Sequence, residues 1–336
     1  MRDILDTVTQ WLAADETIVL ATVIRAEGPS PRPVGSRMAV TGSGGMAGSI
    51  SGGCVEGDVF RHTQDVLESG KARTLHYEGI DEEGWQVGLA CGGAIDVYVE
   101  PLVDPHRQLI QALRREETVG FVTRLDGTAH LLAWPDGRVQ GDRSLASDLL
   151  PFLGSAPYPP SRVQLRPGAH ADVFLEILSR RPTLTIVGAV HIAVPLVALA
   201  RLLGYHVRLV DARRAFATRE RFPDVDDIIV AWPQDAFTPE TLRLQDALVI
   251  LTHDPKFDVP ALEAGLRSPV GYIGLLGSTT TQAKRHAALR ESGFEEEDLQ
   301  RIHGPVGLDL GGRRPAEIAL AIMAEIVATR NASGRS

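Results

Sequence analysis

Apolar and polar positions alternate in two different ways along the chain. In "MRDILDTVTQWLAADE" the apolar residues Ile4, Leu5, Val8, Trp11 and Leu12 recur at helical spacing, which predicts an N-terminal helix. The β-branched run "TIVLATVIRAEG" then reads as a strand ending in the proline-rich turn "GPSPRPVG", and "RMAVTGSGGMAGSISGG" reads as short strands around a turn at Gly42 to Gly45. "VEGDVFRHTQDVLESG" places Val55, Val59, Phe60, Val66 and Leu67 on or near one helical face, with Gly70 as its stop. "ARTLHYEG" and "AIDVYVEPL" follow as strands. Between residues 106 and 181 the signals are Asp-Gly turns between alternating strands and then a proline-rich stretch, "GSAPYPPSRVQLRPGAH", read as a hairpin region and a linker. From residue 182 onward apolar strands alternate with helices: "TLTIVGA", "HVRLVDA", "DDIIVAW", "DALVILTHD" and "VGYIGLLGS", closed by a helix from Pro315. Continuous apolar strands separated by helices are what a parallel sheet covered on both faces requires. The expected architecture is therefore α/β: a mixed α+β domain over 1–105, a hairpin and linker region over 106–181, and a Rossmann-like, doubly wound parallel-sheet domain over 182–336.

Composition narrows the partners. A chain of 336 residues supports two cores without staples, and 44% hydrophobic with 23% charged residues is ordinary for a folded globular protein. A net charge of -9 without a basic run argues against nucleic acid. The N-terminus lacks the charged-then-apolar layout of an export signal, so a cytoplasmic protein is expected. The most apolar stretch, Leu184 to Ala200, is interrupted by His191 and Pro195 and reads as a buried strand plus helix, not a membrane span.

Candidate chemistry gathers at element ends. Both cysteines of the chain stand beside glycine pairs, Gly52-Gly53-Cys54 and Cys91-Gly92-Gly93. Paired glycines let a backbone take φ > 0 or approach a ligand closely. Cys54 opens a helix, where the dipole favours the thiolate, the nucleophilic and metal-binding form; Glu56 in the first turn partly opposes this. Two cysteines in a reducing compartment are expected as free thiols, and packing alone would make them inert core residues. In the second domain Gly188 begins a turn at the place of a dinucleotide fingerprint, and Asp211 ends the next strand, where an acid meets a ribose hydroxyl. Val190, however, stands where the second glycine would touch the pyrophosphate. His253, and Gly277-Ser278 before a helix with Lys284 and Arg285, complete the groups expected beyond the strand ends. No Ser/His/Asp elbow, Walker loop or HExxH helix occurs.

Together "AEGPSPRPVGSRM", "GSISGGCVEGDV", "LACGG", "VDARRAFATRERFP", "ILTHDPKFD", "YIGLLGS" and "GPVGLDLGGRRPAEIALAIMAEIVA" resemble the XdhC/CoxI family over nearly the whole chain. The resemblance implies an accessory factor that binds the molybdenum cofactor (molybdopterin), presents it for sulfuration and delivers it to an apo molybdenum hydroxylase such as xanthine dehydrogenase. A cysteine desulfurase supplying sulfur and a second copy of the chain in a homodimer are the other implied partners. It also implies that Cys54 and Cys91 lie at the cofactor and its metal, with Gly52, Gly53, Gly92 and Gly93 shaping the seat. Two other readings stay open: an NAD(P)-dependent oxidoreductase using the Rossmann-like domain, and a thiol-based sensor.

Overall fold

The computed structural model describes residues 1–30, 32–79, 88–153, 162–167, 172–237 and 241–333. Position 31 of the proline turn, and 154–161 and 168–171 of the expected linker region, lie outside them. The chain divides into two compact units, Met1–Arg180 and Arg181–Ser336.

The first unit contains two antiparallel sheets. In the first, β1 (Ile18–Glu27), β2 (Arg37–Thr41), β3 (Met46–Gly48), β4 (Arg73–Tyr77) and β5 (Ala94–Pro101) lie in the order β3-β2-β1-β5-β4. Both faces of β1 are buried, which is why its apolar run is continuous: Val19, Ala21 and Val23 enter one core and Leu20 the other. Helix α1 (Leu5–Ala13) supplies Leu5 and Val8 to the Leu20 side. On the opposite face α2 (Glu56–Ser69) buries Val59, Thr63 and Val66 against β1 and β5, and Gly70 ends it in the left-handed conformation at φ 67.

Residues 104–178 build the second sheet with helices α3 (Asp104–Arg114) and α4 (Ala146–Leu153). Strands β6 (Val119–Arg124), β7 (His130–Ala133), β8 (Val139–Gly141), β9 (Arg162–Arg166) and β10 (Val173–Leu178) take the order β8-β7-β6-β10-β9. Within the stretch read as a linker, β9 pairs along β10. Two buried polar links join the sheets. Arg37 on β2 and Glu176 on β10 form a fork-to-fork pair, 3% and 2% exposed, and the Arg37 Nε donates to Thr22 at 3.1 Å. Glu100 on β5 meets His106 of α3 at 3.2 Å and His130 of β7 at 2.7 Å.

Burial alone would raise the Glu100 carboxyl, but the electrostatics and hydrogen bonds of His106 and then His130 outweigh it and hold it at about 2. A carboxyl depressed in the folded state stabilises above its unfolded value of 4.5 and loses that contribution as pH falls toward about 2. We expect the melting temperature to fall through this acid window, and Glu100→Gln to flatten the decline. An unaltered pH profile in that variant would remove Glu100 from the account.

The second unit is a six-stranded parallel sheet in the order β13-β12-β11-β14-β15-β16. Its strands are β11 (Thr183–Val187), β12 (His206–Val210), β13 (Asp227–Ile229), β14 (Ala247–Ile250), β15 (Tyr272–Leu275) and β16 (Ile302–His303). Helices α5 (Ala193–Leu202) and α10 (Pro315–Ser333) pack together on one face; α7 (Pro255–Leu266), α8 (Thr279–Glu291) and α9 (Glu296–Leu299) contribute to the core on the other. The short α6 (Pro233–Ala236) packs on α7. Strand order reverses between β11 and β14, the switch point beyond which ligands of such sheets collect. Among the described residues no helix is long and apolar enough to cross a membrane.

Candidate functional site: two cysteine loops and a strand-end cluster

The loop before α2 is wound around a carboxylate of its own chain. One oxygen of Glu56 accepts from Ile50 N–H at 3.1 Å, Ser51 N–H at 2.9 Å and the Ser49 hydroxyl at 2.7 Å. The other accepts from Gly53 N–H at 2.9 Å and from the Ser51 hydroxyl. The two hydroxyls in turn accept from Gly52 N–H at 3.0 Å and Val55 N–H at 2.9 Å. Partial burial would raise the Glu56 carboxyl, but the Ser51 and Ser49 donors win and hold it at about 2. Such winding needs left-handed backbone at Gly53, φ 113, where a side chain would be strained. Cys54 is exposed at the top of this loop, and Val55 beneath it is fully buried.

The second loop is seated on the segment that follows β1. Cys91 is also exposed and free, and its Sγ donates to the Pro29 carbonyl at 2.8 Å. Gly92 N–H closes a turn on the Leu89 carbonyl at 3.0 Å. At Gly93 an added Cβ would stand 2.2 Å from the Pro29 oxygen and 2.8 Å from that of Glu27, so only glycine fits.

Both loops lie at one end of the first sheet. The Tyr77 hydroxyl, at the end of β4, donates to Asp58 in the first turn of α2 at 2.7 Å, and Tyr77 pairs with Ile95 at the start of β5. Val55, Tyr77, Leu89 and Ile95 share one core. The residues flanking each cysteine are thus anchored in common while the thiols stay in solvent. The Pro29 and Tyr77–Asp58 contacts carry no short-range sequence signal, since their partners are 62 and 19 positions away.

Glu100, His106 and His130 also bring three ligand-type atoms within 4.8 Å of one another. The His106 Nδ1 lies 3.3 Å from the Val103 backbone nitrogen, and its Nε2 faces Glu100. Their hydrogen bonds make the trio a buried tie between the two sheets.

In the second unit Gly188, Asp211, His253 and Gly277-Ser278 all follow the carboxyl ends of strands. Asp211 is fully buried. Its oxygens accept from Ala189 N–H at 2.8 Å and from Arg213 through N–H, Nε and Nη2 at 2.9, 2.9 and 2.7 Å. Burial would raise its carboxyl and these partners hold it low. Arg213 lies over the rings of Phe216 and Phe257. Val190 is half-buried and packs against the α5 core. His253 is exposed, while its carbonyl accepts from Arg285 at 3.1 Å. Arg285, expected as phosphate support, is instead buried against Asp258 at 2.8 Å. The Ser278 hydroxyl caps α8 by accepting from Thr281 N–H at 3.3 Å.

Known proteins are similar to this chain in sequence and fold. Residues 11–78 match the model of the XdhC and CoxI family, and residues 184–326 match the XdhC Rossmann domain. The chain is 29% identical over 334 residues to a probable xanthine dehydrogenase subunit of Bacillus subtilis (strain 168), covering 95% of each. It is 26% identical over 331 residues to the molybdenum cofactor insertion chaperone PaoD of Escherichia coli (strain K12), covering 98% of this chain and 88% of PaoD. A crystal structure described as a xanthine dehydrogenase from Bacillus halodurans superposes with a TM-score of 0.78 at 26% identity, over 98% of this chain and 96% of that one. Both family segments, in order, on a fold shared nearly end to end, mean that this chain belongs to the XdhC/CoxI family.

Proposed function

We propose that this protein is an accessory chaperone that binds the molybdenum cofactor as cargo, protects it, and delivers it to an apo molybdenum hydroxylase of the xanthine dehydrogenase type. The observation that carries this reading is the pair of free, exposed thiols on glycine-flanked loops at one end of the first sheet. Sulfur donors suit a soft metal centre. The flanking glycines leave the approach open: an added Cβ at Gly53 or Gly92 would meet nothing within 4 Å. Glu56 serves by shaping the Cys54 loop, its oxygens being filled by that loop's donors. A cysteine desulfurase supplying sulfur, self-association as a homodimer and a cytoplasmic setting belong to the same proposal. The test is to mix the protein with purified molybdenum cofactor, desalt, and measure molybdenum and pterin. We expect co-elution and faster reconstitution of the apo-hydroxylase, without turnover. Absence of co-eluting pterin, or reconstitution no faster than with free cofactor, rejects the proposal.

The second reading is a nicotinamide-dependent oxidoreductase. A ribose hydroxyl would have to displace Arg213 or the Ala189 N–H from Asp211, which is fully buried. Calorimetric titration with NAD and NADP is therefore expected to give no dissociation constant below about 1 mM. Tight binding with hydride transfer would favour the oxidoreductase.

A further inference from the structure

A cleft of about 780 Å³ opens in the first unit between α3 and the β7–β8 hairpin, a size in the range of small-molecule sites. One wall is a single face of α3: Arg107, Gln108 and Gln111, continued by Arg115 just past the helix end, while Leu109, Ile110 and Leu113 turn into the core. The other wall carries Arg138 and Gln140, with Arg143 following β8. Trp134 lies between them, its indole N–H donating to Glu117 at 2.6 Å. In a chain of net charge -9, this cleft gathers four guanidinium groups against the carboxylates of Asp104 and Glu117. Those carboxylates neutralise little. Asp104 comes no nearer than 3.9 Å to Arg107, and Glu117, already bonded to Trp134, stands 3.9 Å from Arg138, whose Nε donates instead to Asp136 at 2.7 Å, so Arg107, Arg115 and Arg143 are the guanidiniums left for a ligand. No carboxylate among the described residues pairs with Arg115 or Arg143.

We propose that this cleft binds a phosphorylated small molecule of nucleotide size. Planar guanidinium forks match phosphate oxygens in pairs. The amides of Gln108, Gln111 and Gln140 each offer a donor and an acceptor to the polar edge of a heterocycle. An open cleft of this volume lined by amides favours such a ligand over an acidic peptide, which needs an extended track. The site is independent of the cofactor proposal, because its lining contains no residue of either cysteine loop.

The test uses the full chain and three probes by calorimetry: inorganic pyrophosphate, AMP and adenosine. Pyrophosphate and AMP are expected to saturate one site per chain, weakening as salt is raised, with adenosine at least about tenfold weaker. The Arg115→Ala/Arg143→Ala double variant, altered only at exposed positions, is expected to lose at least about tenfold in AMP affinity at an unchanged melting temperature. The proposal is overturned if neither anion saturates below about 10 mM, or if AMP binds the double variant as it binds the parent. It is also overturned if a polyglutamate peptide occupies the cleft and AMP does not.

Discussion

Cys54→Ala is expected to reduce bound molybdenum cofactor by at least about tenfold while moving the melting temperature by no more than about 2 °C. The two halves of this expectation have separate causes. The Cys54 thiol is exposed, so its removal opens no cavity and breaks none of the bonds that wind the loop around Glu56. What disappears is one of the two soft donors at that end of the sheet. Cys91→Ala additionally gives up the contact to the Pro29 carbonyl and should also weaken retention. Cofactor retained at parental levels by both single variants, measured as molybdenum per chain after desalting, would reject a thiol seat.

Glu56→Ala should reach the same loss of retention by a different route and, unlike the cysteine change, should cost stability. It strips the acceptor from three backbone N–H groups and two hydroxyls at once. Water can rescue part of this in a partly exposed loop, so the cost is placed at about 2–3 kcal/mol instead of the sum of five charged hydrogen bonds. Glu56→Gln is a sharper probe, because its amide keeps one acceptor and turns an NH₂ toward groups that are themselves donors. It should fall between parent and Glu56→Ala in both melting temperature and retention. A Glu56→Ala protein that melts and retains cofactor like the parent would show that the loop holds its shape without the carboxylate.

Much of this is legible in the sequence where the determining signal is local. The doubly wound unit follows from apolar strand runs at helical separations, and α2 follows from its spaced valines and Gly70. The sequence places Cys54 at the opening of that helix, whereas the helix begins at Glu56 with Val55 as its cap and Cys54 stands in the loop just before it. Glu56 is readable only as a first-turn acid, because nothing in the spacing says that its carboxylate turns back over residues 50–53. Helix α3 is hidden because the first of its buried positions, His106, is polar and is satisfied by Glu100 of the preceding strand. Strand β9 is masked by surrounding prolines and is specified by pairing with β10. The Arg37–Glu176 link spans 139 positions. Helix position alone points Arg285 toward a phosphate, and only its burial beside Asp258 shows a different duty.

The ties between the two sheets of the first unit limit how it can be cut. A fragment ending near residue 105 would retain Arg37 without Glu176, and Glu100 without either imidazole. Each orphaned group would then hydrate by prising open the surface that once covered it. Grafting the cysteine loops onto another scaffold, or expressing them apart, would accordingly require carrying the chain through β10, although no residue of the second sheet belongs to either loop.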